Sequence, residues 1–501
     1  MTSESGAPDG KPDTTRDGNS ESGFGRNGGH KPEGALPDPV VRHHRVTVGG
    51  RTVPYTTTAG MLPIHDDMGV VEAHLYFTAY TLDDVPADER RPLTFTFNGG
   101  PGSASVWLHL GGLAPKRVEM LADGAMPRPP FRLVDNEFTW LPATDMVFID
   151  PVDTGYSRAT SEDLAKKAKD VKGDIASVGE FIRLYLTRYG RWTSPLFLAG
   201  ESYGTYRSAG LAGYLIDKGI AFNGIILISS ILNMQTARFA AGNDLPYSLF
   251  LPTYAATGWF HGKIAPNPEW RDLRTFLKEV EEWVETQYVP ALSAGDRMEP
   301  ATRETILDGL QRYTGLDRTW LDLANLRIHI QAFCKELLRA EGKTVGRLDS
   351  RFKGQDRSRV SQFPDYDPSM AAIRPPFTTV INDYIRRELG YENDREYHIL
   401  RGLDWNWGDA AEGYADTSDA LQAAFARNPY LRLFVASGYY DLATPYYATV
   451  YTLNHMSLDR TAHERIQMEE YPVGHMVYLE HDSLAKLRDD VTAFIAGAID
   501  R

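Results

Sequence analysis

Cysteine is almost missing from this chain. Cys334 is the only cysteine among 501 residues, so no intrachain disulfide can form. It falls within a helical pattern, where a small buried hydrophobic side chain is the expected role.

Long apolar runs and a targeting segment are also missing. No stretch approaches the roughly 20 apolar residues that span a bilayer, and the first residues lack the basic start and apolar core of a signal peptide. We therefore expect a cytoplasmic protein without a membrane partner. The oligomeric state has no signature in the sequence.

Positive charge is in deficit, since 53 Lys and Arg face 67 Asp and Glu for a formal net charge of -14. Nucleic acids and anionic membranes select basic surfaces, so neither is an expected partner. The sequence also lacks His-Glu-x-x-His, a cysteine pair and the phosphate-binding loop Gly-x-x-x-x-Gly-Lys-Ser/Thr. We therefore expect neither a metal nor another cofactor.

What is present is the composition of a large globular protein, with 42% hydrophobic and 24% charged residues. Residues 1–40 are the exception, because Gly, Ser, Asp, Pro and Lys dominate them and predict a disordered tail. Arg45–Val48 and Val70–Tyr80 carry the β-branched and aromatic residues of antiparallel strands, which predicts a leading hairpin or meander.

An α/β fold is predicted by the pattern that follows. Short apolar runs suit buried strands, and the helical patterns Asp170–Tyr189 and Tyr206–Lys218 alternate with them. The runs are Leu93–Phe97, Met146–Ile149, Leu196–Leu198, Ile225–Ile228 and Leu431–Ala436. We expect a mostly parallel sheet with helices on both faces.

The alternation stops between residues 232 and 401. Long amphipathic segments lie there, among them Trp270–Val289, Ala301–Tyr313 and Leu321–Glu341. The predicted division is a tail over 1–40, a core over 41–231, a largely helical cap over 232–401 and the rest of the core over 402–501. Such a cap would cover the carboxyl ends of the strands and shape access to the site.

A nucleophile is indicated in Pro195–Tyr206, where an apolar strand pattern runs through Gly200-Glu-Ser-Tyr-Gly204 into a helical pattern. This strand–turn–helix context is that of the nucleophile elbow of α/β-hydrolases, which presents a serine above the sheet. Gly-x-Ser-x-Gly alone also occurs in ordinary glycine-rich turns. In this context the motif predicts that Ser202 is the nucleophile.

A serine hydroxyl needs a histidine base oriented by a carboxylate, and in this fold the chain order is Ser, acid, His. Asp441 follows the strand pattern Leu431–Ala436, and His475 lies in a Pro/Gly loop before the last helical pattern. Each could instead be an ordinary turn or loop residue. The competing candidates are His455, His463, His481, Asp404, Asp409 and Asp416.

An oxyanion hole needs two backbone donors. One is normally the amide after the nucleophile, here that of Tyr203, and the second comes from a loop after an earlier strand. The loop Asn98-Gly-Gly-Pro-Gly102 directly follows Leu93–Phe97 and fits that position. A simple glycine-rich turn is the alternative interpretation.

Together these motifs resemble the serine carboxypeptidase family. The shared features are Asn-Gly-Gly-Pro-Gly at 98–102, Gly-Glu-Ser-Tyr at 200–203, the segment Phe148–Ser157, and the spacing from Gly438-Tyr-Tyr-Asp441 to Gly474-His475. The resemblance covers about residues 70–230 and 430–480. The cap matches only in placement.

The resemblance implies that Asn98, Gly99 and Glu201 bind the terminal carboxylate of a peptide substrate and that Gly100 supplies the second oxyanion donor. A glutamate beside another carboxylate must hold a proton to donate a hydrogen bond, and the two like charges raise its pKa. The implied function is a serine-type carboxypeptidase, acting through an acyl-enzyme and favoured at mildly acidic pH.

Two positions depart from the family pattern. The usual tryptophan two residues before Asn98 is Thr96, which removes an indole N–H that helps to bind the carboxylate, and the cysteine after the loop is Ser103. An esterase or acyltransferase using the same triad is therefore an alternative function. A binding protein that keeps the fold without catalysis is a third.

Overall fold

The apolar runs form the centre of a ten-stranded sheet in the computed structural model, which describes residues 36–86, 89–408 and 413–500. The chain divides into two units, Met1–Pro37 and Asp38–Arg501, and the second holds the named elements. Most of the tail expected over 1–40 lies outside the described residues.

The strand bounds extend the apolar runs by a few residues. They are β1 (Val40–Val48), β2 (Arg51–His65), β3 (Val71–Leu82), β4 (Leu93–Phe97), β5 (Lys116–Val118), β6 (Leu133–Asp135), β7 (Asp145–Ile149), β8 (Arg158–Ala159), β9 (Leu196–Ser202), β10 (Gly224–Ser230), β11 (Lys343–Val345), β12 (Lys353–Gln355), β13 (Arg432–Gly438) and β14 (Ile466–Tyr471).

The helices surround the sheet and fill the interval between β10 and β13. They are α1 (Val106–Leu108), α2 (Glu162–Ala168), α3 (Val171–Arg188), α4 (Tyr203–Ile216), α5 (Leu245–Leu249), α6 (Leu251–Phe260), α7 (Leu273–Trp283), α8 (Val289–Ala294), α9 (Pro300–Thr314), α10 (Arg318–Leu323), α11 (Ile330–Glu336), α12 (Pro368–Arg387), α13 (Ser418–Arg427), α14 (Tyr446–Asn454), α15 (Arg460–His463) and α16 (His481–Ile499). Within the described residues, no helix has the length and apolar character to cross a bilayer.

The sheet order is β1-β2-β3-β7-β4-β9-β10-β13-β14, with β8 beside β3. The pairs from β1 to β7 are antiparallel, as expected for the leading meander. The pairs from β7 to β14 are parallel. The α/β-hydrolase fold predicted from the sequence is confirmed.

Both faces of the central strands are buried. In β9, Leu198 belongs to the core that α3 and α4 cover, whereas Phe197 points the other way and meets Phe494 of α16 with ring centroids 6.4 Å apart. Residues of opposite orientation along one strand are thus both apolar, because helices cover both faces of a parallel sheet.

The interval between β10 and β13 has its own apolar core, built mainly from helices α5–α11. The amphipathic segment Leu321–Glu341 is divided between two helices, α10 and α11. Helix α10 ends at Leu323, and Asn325 and Leu326 adopt φ of 51° and 62°, which no helix tolerates. The exact bounds of the cap remain a prediction.

Candidate active site

Ser202 occupies a strained turn between β9 and α4, with φ 59° and ψ -129°. The flanking glycines leave no room for side chains. A Cβ on Gly200 would lie 2.2 Å from the carbonyl oxygen of Gly204, and one on Gly204 would lie 2.6 Å from that of Phe97. The glycines therefore permit the turn, which leaves Ser202 partly exposed at the carboxyl edge of the sheet.

Asp441 and His475 form a buried pair beside this turn. Asp441 lies three residues after β13, and its Oδ2 is 2.7 Å from Nδ1 of His475. The amides of Ala443 and Thr444 donate to its Oδ1 at 2.7 and 3.0 Å, and the hydroxyl of Thr444 donates to Oδ2. This carboxylate is therefore fixed by four donors.

The sheet register brings the serine and the histidine to the same edge. Ser202 pairs with Ser230 across β9 and β10, and the hydroxyl of the preceding Ser229 donates to the carbonyl of His475 at 2.5 Å. No hydrogen bond joins the Ser202 hydroxyl to His475 among the described residues. Such catalytic contacts commonly tighten only when substrate binds.

The charge around His475 favours its protonated form. Burial alone lowers the pKa of an imidazole, but the charge and hydrogen bond of Asp441, together with the nearby Glu201, raise the pKa of His475 above its usual value. The imidazolium that forms when a serine loses its proton is thus stabilised in place.

The loop after β4 packs against the first turn of α4. A Cβ on Gly99 would lie 2.3 Å from the backbone nitrogen of Tyr203, so only glycine allows this approach. Gly100 follows with φ 102° and is exposed. The two segments expected to supply oxyanion donors are therefore adjacent.

Asn98 and Glu201 meet beneath this loop, and both side chains are buried. Nδ2 of Asn98 donates to Oε1 of Glu201 at 2.9 Å, and the amide of Leu108 donates to Oδ1 of Asn98 at 3.0 Å. Burial raises the pKa of Glu201 to about 7, against the lowering influence of His475. The cause differs in part from the sequence expectation, because desolvation raises this pKa without any neighbouring substrate carboxylate.

A buried ion pair contacts both the loop that begins at Asn98 and the first turn of α4. Nε of Arg207, in α4, donates to Oδ2 of Asp174 at 2.7 Å. Its Nη1 donates to the carbonyl of Asn98 at 2.7 Å, and the hydroxyl of Tyr203 donates to the same Asp174 oxygen at 3.2 Å. The Asn98 loop and the residue after the nucleophile are thus tied to one pair of charges.

The competing candidates lie elsewhere. His455 contacts the carbonyl of Tyr451, and His463 lies in α15. His481 is half exposed near Glu137. Asp416 accepts a hydrogen bond from Asn233, and Asp404 is exposed. Asp409 lies outside the described residues.

Several residues that hold the site carried no signal in the sequence. The amide of His475 donates to the carbonyl of Leu348 at 2.7 Å, and that of Gly474 donates to Asp349 at 3.1 Å. Both acceptors belong to the segment between β11 and β12. Thr444, three residues after Asp441, could have been found as a turn residue that caps the carboxylate.

No group of three His, Cys, Asp or Glu side chains within residues 36–86, 89–408 and 413–500 is arranged to hold a metal ion.

A family model described as serine carboxypeptidase matches residues 49–283. The pheromone-processing carboxypeptidase KEX1 of Coprinopsis cinerea is 31% identical over 172 residues, which are 34% of this chain and 25% of that protein. Serine carboxypeptidase-like 3 of Arabidopsis thaliana is 27% identical over 153 residues, 29% of this chain and 33% of the plant protein. The matches thus span a quarter to a third of these relatives' length.

A solved structure extends the likeness to most of the chain. The crystal structure of Kex1(delta)p, a prohormone-processing carboxypeptidase from Saccharomyces cerevisiae, covers 88% of this chain and 91% of its own, with a TM-score of 0.53 and 17% identity. At this identity the likeness shows the fold.

Proposed function

Since the chain belongs to the serine carboxypeptidase family, we propose that it hydrolyses the C-terminal peptide bond of peptides through an acyl-enzyme on Ser202. One observation favours a carboxypeptidase over other kinds of serine hydrolase. Glu201 is 2% exposed, is hydrogen-bonded to Asn98, and has its pKa raised to about 7 by burial. A carboxyl group held neutral beside the nucleophile can donate a hydrogen bond to a second carboxylate.

The chemistry follows from the geometry of the three residues. The Ser202 oxygen bonds to the carbonyl carbon of the last peptide bond while Nε2 of His475 takes its proton, and Asp441 stabilises the imidazolium. The amides of Tyr203 and Gly100 stabilise the oxyanion. His475 then protonates the leaving amine as the C–N bond breaks, and water attacks the acyl-enzyme by the same route in reverse.

The pair Glu201 and Asn98 restricts the reaction to the chain end. Both belong to segments that immediately adjoin the nucleophile or the oxyanion loop, so a carboxylate bound there is one residue from the scissile carbonyl. In a longer peptide, the position of the terminal carboxylate would be taken by a neutral backbone amide. The hydrogen-bond donors that suit a carboxylate would then be left partly unpaired, and this cost excludes cleavage at internal peptide bonds.

The test is mass spectrometry of N-blocked peptides incubated with the purified protein and with its Ser202→Ala variant. We expect stepwise loss of single C-terminal residues by the native protein and none by the variant. A fluorophosphonate should label only the native protein. Hydrolysis of simple esters without any release from free-acid peptides would favour the esterase or acyltransferase instead.

We also propose a reducing compartment, such as the cytoplasm, as the site of action. The single cysteine, Cys334, is buried, and burial raises the pKa of its thiol. The fold therefore makes no use of disulfides. Cell fractionation with an antibody to the protein tests this location, and recovery from the oxidising secretory compartments would contradict it.

A further inference from the structure

Two buried polar atoms near the carboxylate site have no hydrogen-bond partner among the described residues: Oε2 of Glu201 and the hydroxyl of Tyr478. Burying a polar atom without a partner destabilises a protein, so nearly all buried polar atoms are paired. Two such atoms in one place indicate a site prepared for a polar ligand.

Tyr478 is held rigidly in this position. It lies in the single turn Val477–Leu479, three residues after His475, and is 1% exposed. Its ring fills the space beside two glycines, since a Cβ on Gly111 would lie 2.2 Å from Cε2 of Tyr478. The phenol therefore cannot swing away without a cavity forming beside Gly111.

The hydroxyl of Tyr478 faces both members of the carboxylate pair. Burial and the adjacent Glu201 raise the pKa of Tyr478 well above its usual value, and Asn98 is also within reach of this oxygen. The phenol therefore keeps its proton at neutral and mildly acidic pH. It is thus a hydrogen-bond donor throughout this range.

The proton on Glu201 has one suitable position. Oε1 already accepts from Asn98 at 2.9 Å, so the acidic proton belongs on the unpartnered Oε2. Tyr478 and Glu201 lie close enough to interact with each other, and a carboxylate that entered beside them would accept from both O–H groups. A carboxylate has two oxygens, each of which accepts hydrogen bonds.

We propose that Tyr478 is a third side chain that binds the substrate's terminal carboxylate, donating to one oxygen while protonated Glu201 donates to the other. This inference rests on the proposed function, because it assumes a substrate with a free C-terminus.

The experiment measures ligand binding in the Ser202→Ala background by calorimetry at pH 5.5, with an N-blocked dipeptide and with its C-terminal amide. Tyr478→Phe should weaken binding of the free acid about tenfold or more, as loss of a hydrogen bond to a charged group does. Binding of the amide should change less than twofold. The melting temperature should not fall, because the variant removes an unpartnered buried hydroxyl without changing the ring.

Tyr55→Phe is the matched control. The Tyr55 hydroxyl is also buried and unpartnered, but it lies in β2, four strands from β9 in the sheet. We expect this variant to bind the free acid as the parent does. Hydrolysis of a simple ester by Tyr478→Phe with Ser202 intact reports on the catalytic serine separately.

The outcomes separate the two proposals. If the parent prefers the free acid and Tyr478→Phe keeps that preference, or if Tyr55→Phe loses it equally, the role of Tyr478 is wrong. If the parent binds acid and amide equally, the carboxypeptidase proposal itself fails.

Discussion

At the scale of single residues, the proposed function depends on the proton that Glu201 holds. The pKa values of Glu201 and His475 are both raised, and each carries the charge that favours the other's ionised form. The proposed peptide cleavage requires protonated Glu201 and neutral His475, which together hold one proton. The two groups therefore titrate as a coupled pair, and activity on peptides belongs to its singly protonated state.

The first prediction concerns this pair in Glu201→Gln. Wild-type kcat/KM on a free-acid peptide should fall as the pH rises above about 7, the pKa to which burial raises Glu201, because ionised Glu201 repels the substrate carboxylate. The variant should lose this alkaline decline, since a carboxamide donates at every pH. Its acidic limb should change little, because Glu201 is protonated and uncharged in that pH range and so does not raise the pKa of His475 there. Steady-state kinetics from pH 4 to 9 test both.

The same residue links stability to pH. Its pKa is higher in the folded protein, about 7, than the usual 4.5, so folding takes up a proton between these values. The free energy of unfolding should therefore fall as the pH rises from 4.5 to 7, and this dependence should be weaker in Glu201→Gln. Urea titrations at several pH values measure it. A slope equal to that of the parent would show that Glu201 ionises normally in the fold.

Asp441→Asn tests the orientation of His475. The amide keeps the shape but removes the charge that raises the pKa of His475, and its NH₂ group cannot accept from Nδ1. We expect kcat to fall about 10⁴-fold with KM nearly unchanged. Thr461→Val, at an exposed position of α15, is the control. A fall of less than tenfold would exclude Asp441 as the triad acid.

At the scale of elements, the junction of β9 and α4 depends on glycines that leave no room for a methyl group. Gly204→Ala should destabilise the fold by about 1–3 kcal/mol and lower kcat, because its Cβ would meet the Phe97 carbonyl at 2.6 Å. Gly402→Ala is the matched control, since a Cβ there meets nothing within 4 Å. Denaturant unfolding and kinetics measure both. Equal stability of the two variants would contradict the close packing of the elbow.

Helices α3 and α4 are joined by the buried pair Asp174 and Arg207, whose side chains are 3% and 2% exposed. Asp174→Ala leaves a buried guanidinium without its counter-ion and should cost about 3–5 kcal/mol. Asp217→Ala, which breaks the exposed pair with Arg427, should cost less than about 1 kcal/mol. Urea unfolding compares them, and similar losses would mean that Arg207 finds another partner.

At the scale of the whole molecule, the sequence predicted the parts of the fold in which runs of buried apolar residues and the turn residues that follow them indicate the same element. Every apolar run became a central strand, because a parallel sheet covered on both faces selects apolar residues at successive positions. The elbow was predictable because glycines were required on both sides of Ser202. That Asp441 and His475 lie side by side was predictable from chain order and strand position.

Other elements could not be predicted because their stabilisation is not local. Strand β14 (Ile466–Tyr471) lies at the sheet edge and has one buried residue, Tyr471, so it lacks an apolar run. Helix α12 contains Pro375 and Pro376, which indicate a break when read locally. The proximity of Tyr478 to Asn98 and Glu201 could not be predicted either, because only the fold brings its turn beside them.

The most direct test compares one N-blocked dipeptide with its C-terminal amide across pH 5 to 8, using the native protein. A site that recognises a carboxylate through a protonated glutamate predicts that kcat/KM for the free acid exceeds that for the amide by at least tenfold at pH 5.5. This ratio should decline as the pH passes about 7, the pKa of Glu201. A ratio near or below one at every pH would contradict the central claim, because it would show that Glu201 and Asn98 do not recognise the C-terminal carboxylate of the substrate.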